Sequence, residues 1–334
     1  MHIVFVGLKG ATRRNRACDT RLGYVKQLLE ERHKVTISER NFMEPLRLLW
    51  LHRNKPVDVL HVYSNHYVLM PLYWLIARIM GARVVAEYVE YRSSFDWENC
   101  KVYILPVLWY HRMNAYLFDR YAAKLWDGCL PISDFLMQKA HEVNPDLKML
   151  KVAPLCNLDL FEQNKLPSPE AKPYILYCGS RDYKEVAEMI EEAYRMSRLK
   201  DKVGLRLLLD GNLDYDVLVS YFKHAEALLI PLRNNIRDIA RFPNKICEYT
   251  ASQSIVITTP YGEMPHYFSD GKNAIIADDY SVSALTDCFN RMADGYYDMA
   301  ALREASWQTA VQHFSLDAYR EVLFHFLDEI VYNK

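Results

Sequence analysis

The sequence predicts an α/β protein made of two doubly wound, parallel-sheet domains. Three observations carry this. Short apolar runs alternate with helix-period segments from end to end, which is the pattern of parallel strands joined by crossover helices. The alternation breaks once, at a proline-containing polar stretch, Leu160 to Pro173. And 334 residues are too many for one typical domain and comfortable for two.

In the first half, strands are expected at His2 to Val6, Lys34 to Ile37, Val57 to Val62, Arg83 to Glu87, Gly128 to Ile132 and Lys148 to Val152. Helices are expected near Thr20 to Glu31, Glu44 to His52, Val68 to Met80 and Ser133 to Val143. In the second half, strands fall near Tyr174 to Cys178, Gly204 to Leu209, Ala227 to Ile230, Ile255 to Thr258 and Ala274 to Ala277, with helices between them. A last helix, about Leu316 to Val331, follows the cap signal at Ser315. Two domains are thus expected: residues 1–163 with a returning helix at about 316–334, and residues 164–315.

Composition excludes several classes. Half the residues are hydrophobic (51%) and a quarter are charged (25%), with a formal net charge of −1. No whole-protein field draws such a chain to nucleic acid. The seven cysteines are scattered and odd in number, with no C-x-x-C pair, so neither a disulfide framework nor a zinc site is expected, and a cytoplasmic location is. The longest apolar candidate, Tyr67 to Met80, is interrupted by Pro71 and Arg78 and falls short of the roughly 20 residues a bilayer span needs. The segment from Trp97 to Trp126 is different, because its aromatic and aliphatic residues are interleaved with Lys101, His111, Arg112, Arg120 and Lys124. Two readings fit it: a long core helix with solvated bases, or a surface lying in a membrane's headgroup zone.

Chemistry concentrates between Ala227 and Pro265. An apolar strand ends at Pro231, a polar loop follows, and Pro243-Asn244 opens a helix. A β-branched strand then runs to Thr258. The loop and helix start carry Arg233, Arg237, Arg241 and Lys245, with Glu248 a turn later. Open α/β sheets bind ligands at the carboxyl ends of their strands, and helix starts favour anions. Cations there suit a diphosphate. A carboxylate just beyond suits sugar hydroxyls, since it accepts two O–H donors. Glu248 could instead pair with Lys245. Earlier, Gly179-Ser180 followed by Arg181 and Lys184 makes a second cationic turn. It fits the diphosphate too, or a solvated pair bonded to Glu185 or Glu188. Gly211 is either a turn glycine or a close approach for a base or ribose.

These segments resemble the retaining family 4 glycosyltransferases. Phe242-Pro243-Asn244-Lys245, Glu248-Tyr249, Ser254 to Thr259 and Gly262-Glu263 are similar to that family's donor-site signature. Leu130 to Phe135, the segment Lys151 to Pro154 with Asn157, Asp159 and Phe161, Tyr177 to Arg181, Asp270 to Asn273 and Phe314-Ser315 match its other landmarks in order. The likeness runs from about Leu130 to the C-terminus and is thin before it. It implies the GT-B fold, with the two domains facing a central cleft, the acceptor on the first, the nucleotide-diphosphate sugar on the second, and the last helix returning to the first. It also implies a metal-independent reaction with no cofactor, the donor being of UDP or GDP type. One departure stands out. Many relatives have a second glutamate eight residues before the counterpart of Glu248, and here that position is Ala240; Asp238 is a stand-in to consider.

From the resemblance, Arg181 and Lys184 are expected to neutralise the leaving group, with Gly179, Ser180, Gly211, Arg241, Asn244, Lys245 and Glu248 around the donor. In the first half, the basic loop with Gly7, Gly10, Arg13 and Arg14 could close on donor phosphates or hold an anionic acceptor. It has neither P-loop nor dinucleotide-fold spacing. Glu87, Glu90 and Arg92 end the fourth strand, where a glutamate, Glu90 foremost, could meet the transferred sugar or acceptor hydroxyl, or simply form a strand-end charge cluster. His61 and His66 flank another strand end. The expected acceptor is a glycan or polyprenyl-linked saccharide of surface polysaccharide or glycolipid synthesis, with peripheral contact at the membrane's inner face. Two other activities keep the same fold: a nucleotide-sugar epimerase or phosphorylase, and a nucleotide-sugar-binding protein without catalysis.

Overall fold

A computed structural model describes residues 1–8, 17–39, 43–63, 66–95, 104–180, 183–209 and 213–332. Gly10, Arg13, Arg14, Arg181 and Gly211 lie outside the described residues, as does the 97–103 portion of the aromatic–basic segment. The chain forms two compact units, Met1–Val152 with Tyr319–Lys334, and Ala153–Ala318.

The first unit runs β1 (His2–Leu8), α1 (Ala17–Glu30), β2 (Lys34–Glu39), α2 (Glu44–Asn54), β3 (Val59–Val62), α3 (Leu69–Met80), β4 (Arg83–Tyr88), α4 (Leu105–Tyr121), β5 (Gly128–Pro131), α5 (Asp134–Val143) and β6 (Lys148–Met149). Its sheet has the order β2-β1-β3-β4-β5-β6, and every pairing is parallel. Right-handed crossovers then put α1 on one face and α2 to α5 on the other. The central strands read VLHV and RVVAEY because parallel strands are covered on both sides. Strand β6 has two residues rather than the five predicted, since it is an edge with one neighbour.

The second unit runs α6 (Leu158–Gln163), β7 (Tyr174–Cys178), α7 (Lys184–Met196), β8 (Gly204–Leu208), α8 (Tyr215–His224), β9 (Ala227–Leu229), α9 (Ile236–Ala240), α10 (Lys245–Ala251), β10 (Ile255–Thr258), α11 (Met264–Tyr267), β11 (Ile275–Ile276), α12 (Val282–Ala293) and α13 (Met299–His313). The parallel sheet order is β11-β10-β9-β7-β8. Ile175, Tyr177, Ala227, Leu229, Ile255 and Ile257, two apart on each strand, form one core with α7 and α12. Helix α10 packs with α8 and α13. The proline-containing stretch is fastened to α8: Lys223 Nζ donates to Phe161 O at 2.8 Å and Ser220 Oγ to Pro167 O at 2.7 Å.

A last helix, α14 (Leu316–Tyr332), starts in the second unit, with Ser315 Oγ accepting from Ala318 N at 3.2 Å. From Tyr319 on it belongs to the first. There Arg320 pairs with Glu31 and Arg32 with Glu321. A Cβ on Gly128 would lie 2.1 Å from Ile330 Cδ1 and 3.2 Å from Phe326 Cζ, so the side chains of α14 fill the space left by the glycine of β5.

By sequence, the segment between β9 and α10 reads as a polar loop throughout. It contains α9, five residues begun by Asn235, whose side-chain oxygen accepts from Asp238 N at 2.9 Å. A local side-chain cap sets up this turn of helix, and no long hydrophobic period announces it.

Candidate functional site

In the second unit the strand order reverses between β7 and β9, so the connections leaving these two strands diverge there. Such a switch point, at the carboxyl ends of the strands, is where open α/β sheets hold ligands. Two loops and helix α10 supply its residues.

After β9, the chain is pinned by two threonines at the end of β10. Thr258 Oγ1 donates to Ile230 O at 2.9 Å, and Thr259 Oγ1 accepts from Leu232 N at 2.8 Å. This aims Arg233 at α9. Its Nε donates to Asp238 Oδ2 at 2.7 Å and its Nη2 to Oδ1 at 3.2 Å. Arg241 Nη2 also donates to Oδ1, at 2.6 Å. Burial pushes the Asp238 carboxyl up, but Arg233 and Arg241 outweigh it and hold it below the usual carboxylate range. Both of its oxygens are therefore occupied by guanidinium groups, and Asp238 organises cations here. Ala240, at the position of the missing glutamate, is buried.

The arginines converge on Tyr183, the residue before α7. The guanidinium carbons of Arg233, Arg237 and Arg241 stand 5.6, 5.4 and 4.9 Å from its ring centroid. That is cation–π range. The Tyr183 hydroxyl accepts from Arg237 Nη2 at 3.2 Å and from Arg241 Nη1. Glu185 takes a further bond from Arg233 Nη1.

On the other side of the switch point, Cys178 ends β7, and Lys245, the first residue of α10, acts on its thiol. Burial pushes the Cys178 thiol up against the opposing effect of that lysine. For Lys245, burial disfavours the charge, yet Cys178 and Glu248 outweigh it and raise its pKa. Lys245 Nζ also lies 5.9 Å from the Phe222 ring centroid. Glu248, one turn on, accepts a hydrogen bond from Tyr215 Oη at 3.0 Å. Its pKa is raised by burial, with Lys245 and Tyr215 pulling the other way. The result is a half-buried carboxylate and ammonium side by side at the strand ends, able to accept hydroxyl donors and meet an anion.

The remaining predicted residues are placed as follows. Gly179 follows β7, and a Cβ there would come within 2.5 Å of Tyr177 Oη. Ser180 is exposed, and Asn244 precedes α10. Lys184 starts α7 and pairs along the helix with Glu188 at 2.9 Å, its side chain 79% exposed. In the first unit, Gly7 sits in β1 with φ +84°, a conformation that favours glycine. Glu90 is half exposed (49%) and bonded to Arg92 at 2.6 Å. Glu87, by contrast, is sealed in the core: Arg21 Nε is 2.9 Å and His61 Nε2 3.2 Å from its two oxygens. Phe5 stacks on His61 at 4.4 Å. Neither Glu87 nor His61 can reach a substrate, because the sheet and α1 enclose them.

Sequence reasoning missed Tyr183, Cys178 and Tyr215. The only signal for the first two was adjacency to the Gly179-Ser180 turn. Tyr215 has an unusual setting, the centre of the triplet Asp214-Tyr215-Asp216. This Asp-x-Asp triplet opens α8 with both carboxylates exposed, while the tyrosine reaches back to Glu248.

Comparison with known proteins bears on this arrangement. Residues 176–294, which hold the whole switch-point constellation, match the family profile described as Glycosyl transferases group 1. Among solved structures, sucrose-phosphate synthase from Thermosynechococcus elongatus is similar with a TM-score of 0.71 at 13% identity, over 100% of both chains. A glycosyltransferase from Rickettsia africae gives 0.67 at 16%, over 100% of this chain and 99% of its own. The fold is GT-B. Anabaena HepE in complex with UDP-glucose is another GT-B neighbour, with a TM-score of 0.66 at 12% identity, over 98% of this chain and 100% of its own. At these identities the likeness is one of fold. No curated protein matches the chain.

Proposed function

We propose that this protein is a retaining, metal-independent glycosyltransferase. It moves a sugar, of hexose type, from a nucleotide-diphosphate sugar to a glycan or polyprenyl-linked saccharide. The observation that carries the reading is the Lys245–Glu248 pair, buttressed by Cys178 and Tyr215, at the switch point of a unit that matches glycosyl transferases group 1. Glu248 accepts from the ribose hydroxyls. Lys245 and Arg241, with Arg181 and Lys184 from the turn after Gly179-Ser180, face the diphosphate. Asn244 and Gly211 complete the donor contacts. The leaving group gains negative charge as the glycosidic bond breaks, and preorganised cations stabilise that change. Departing phosphate oxygen takes the acceptor's proton on the same face, which preserves anomeric configuration without a second carboxylate.

Residues 164–315 then hold the donor. Residues 1–163, with the returning helix, hold the acceptor, with Glu90 at the acceptor hydroxyl and the loop of Gly7, Gly10, Arg13 and Arg14 on an anionic group. HepE binds UDP-glucose, which favours UDP over GDP as the donor base. The reaction belongs to surface polysaccharide or glycolipid synthesis at the cytoplasmic face of the membrane.

The experiment is thermal stability against a panel of nucleoside diphosphates, with magnesium and with EDTA, followed by transfer to glycan acceptors. A shift with UDP that EDTA leaves unchanged is expected, with transfer from the matching sugar and an axial or equatorial anomeric proton matching the donor's. If no nucleotide stabilises the protein, the donor-site reading fails. A shift that vanishes in EDTA would overturn metal independence and direct attention to Asp214 and Asp216.

A further inference from the structure

The outward faces of α2, α3 and α4 in the first unit carry the wrong residues for a helix layer facing water. On α4, Leu105, Trp109, Arg112, Met113, Tyr116 and Arg120 stand at i, i+4, i+7, i+8, i+11 and i+15, a single stripe of helix, and all six are exposed. Leu105 is 81% and Trp109 65% exposed, while Asn114, Ala115 and Phe118 take the buried side. Helix α3 repeats the pattern with Leu72, Leu75 and Ile79, and α2 with Leu46, Trp50 and Arg53. Helix α7 in the second unit shows the ordinary alternative: its exposed positions are Lys184, Glu185, Glu188, Glu191, Glu192 and Arg195, with a single apolar residue, Met196, at its end.

The three stripes belong to one layer. Crossover handedness places the helices on the same face of the sheet. Buried polar contacts then lock them side by side: Tyr73 Oη of α3 donates to Glu44 Oε2 of α2 at 2.8 Å, and Tyr67 N, just before α3, donates to Asn114 Oδ1 of α4 at 2.8 Å.

Charge selects the occupant. Among the described residues of these helices, no carboxylate faces outward. Glu44 is buried on Tyr73, α3 has no acid, and Asp119 accepts from the backbone N–H groups of Arg92 and Ser93. The outward charges are all basic: Arg53, Arg112 and Arg120, with Arg78 beside its partner Asp127 and Arg47 bonded to Ser38 and the Glu39 carbonyl. The Arg120 guanidinium carbon stands 5.9 Å from the Tyr116 ring centroid, within cation–π range on the exposed stripe. A second copy of the chain would set like charges against each other across a two-fold interface.

We propose that this three-helix face docks on an anionic lipid bilayer. Trp50 and Trp109 sit at the headgroup boundary, Leu75, Ile79 and Leu105 enter the upper acyl region, and the arginines meet lipid phosphates. This gives the acceptor side of the proposed transferase access to a lipid-linked substrate, but it stands on the surface alone. The test is flotation of the full chain with vesicles of phosphatidylcholine, with and without phosphatidylglycerol, in the absence of donor and acceptor. Binding is expected only to the anionic vesicles, with release at high salt. The double substitution Ile79→Glu with Trp109→Glu is expected to lose at least about tenfold in partitioning, while its circular dichroism, melting temperature and UDP-induced stabilisation match the parent. Retained transfer to a soluble acceptor would separate this surface from the donor site. Equal binding to neutral vesicles, no binding, unchanged binding by the double variant, or a dimer in solution that the same substitutions dissolve would each overturn the proposal.

Discussion

Tyr215 donates its hydroxyl hydrogen to Glu248 at 3.0 Å, so the first turn of α8 fixes the carboxylate carried by α10. Burial raises the pKa of that carboxyl, so its charge is a cost to the ligand-free fold that a bound polyol would repay. For a raised pKa, the protonated form is the one folding favours, and that contribution fades as pH rises through the folded value.

Glu248→Gln should therefore act in opposite directions on two measurements. Near neutral pH the ligand-free variant should melt at or above the parent's temperature. Its donor affinity by calorimetry should fall about ten- to hundredfold, since hydrogen bonds to a charged group contribute roughly 1.5–3 kcal/mol. Tyr215→Phe should cost about fivefold in affinity. Donor affinity unchanged in both would remove Glu248 from the site.

The Asp238 carboxylate, shared by Arg233 and Arg241, lies below its ordinary pKa. A depressed pKa contributes stability that is present above the unfolded value and lost as pH falls toward the folded one. Asp238→Asn should lower the melting temperature at neutral pH, and the gap from the parent should close below about pH 4. A gap constant from neutral pH to acid would show that hydrogen bonding and not charge holds the arginines.

Glu87 presents the same chemistry with no exposed side. Removing it leaves the fully buried Arg21 without its anion, and breaking a buried pair costs about 3–5 kcal/mol. Glu87→Ala should shift the urea midpoint sharply. In contrast, Glu90→Ala should change the unfolding free energy by no more than about 0.5 kcal/mol, because the Glu90–Arg92 pair is half exposed.

Gly179→Ala places a methyl 2.5 Å from Tyr177 Oη and 2.6 Å from its Cζ. Tyr177 is a core ring packed under α7, so the β7 turn must move, at about 1–3 kcal/mol. Because the ring carbon clashes as well as the oxygen, Tyr177→Phe should not rescue the melting temperature. A neutral Gly179→Ala would mean the turn has slack.

Much of the fold was legible because parallel strands covered on both faces leave continuous apolar runs, such as Ile255 to Thr258, and small-residue turns end them. Several segments that suggested the family proved to be helix caps: Ser133 caps α5, Asn157 caps α6 and Ser315 caps α14. Their regularity is structural before it is chemical. The site was read less completely. Lys245 and Glu248 stood out by charge and spacing, whereas Cys178 and Tyr183 come from the β7–α7 connection and Tyr215 from the start of α8, and no local period encodes their meeting with the residues of α9 and α10. Glu87 misled for the same reason: a strand-end glutamate looks alike in sequence whether water or Arg21 faces it.

Helix α14 changes how the protein can be made. The first unit is assembled from two stretches of chain with the entire second unit threaded between them. During synthesis, strand β5 emerges with Gly128 presenting a bare groove, and its filler, Ile330, comes only after some two hundred further residues have been translated. The second unit can finish folding while the first is still missing a wall. Order of birth and order of completion are thus reversed, and the nascent first unit must remain soluble with that seam open until the returning helix closes it.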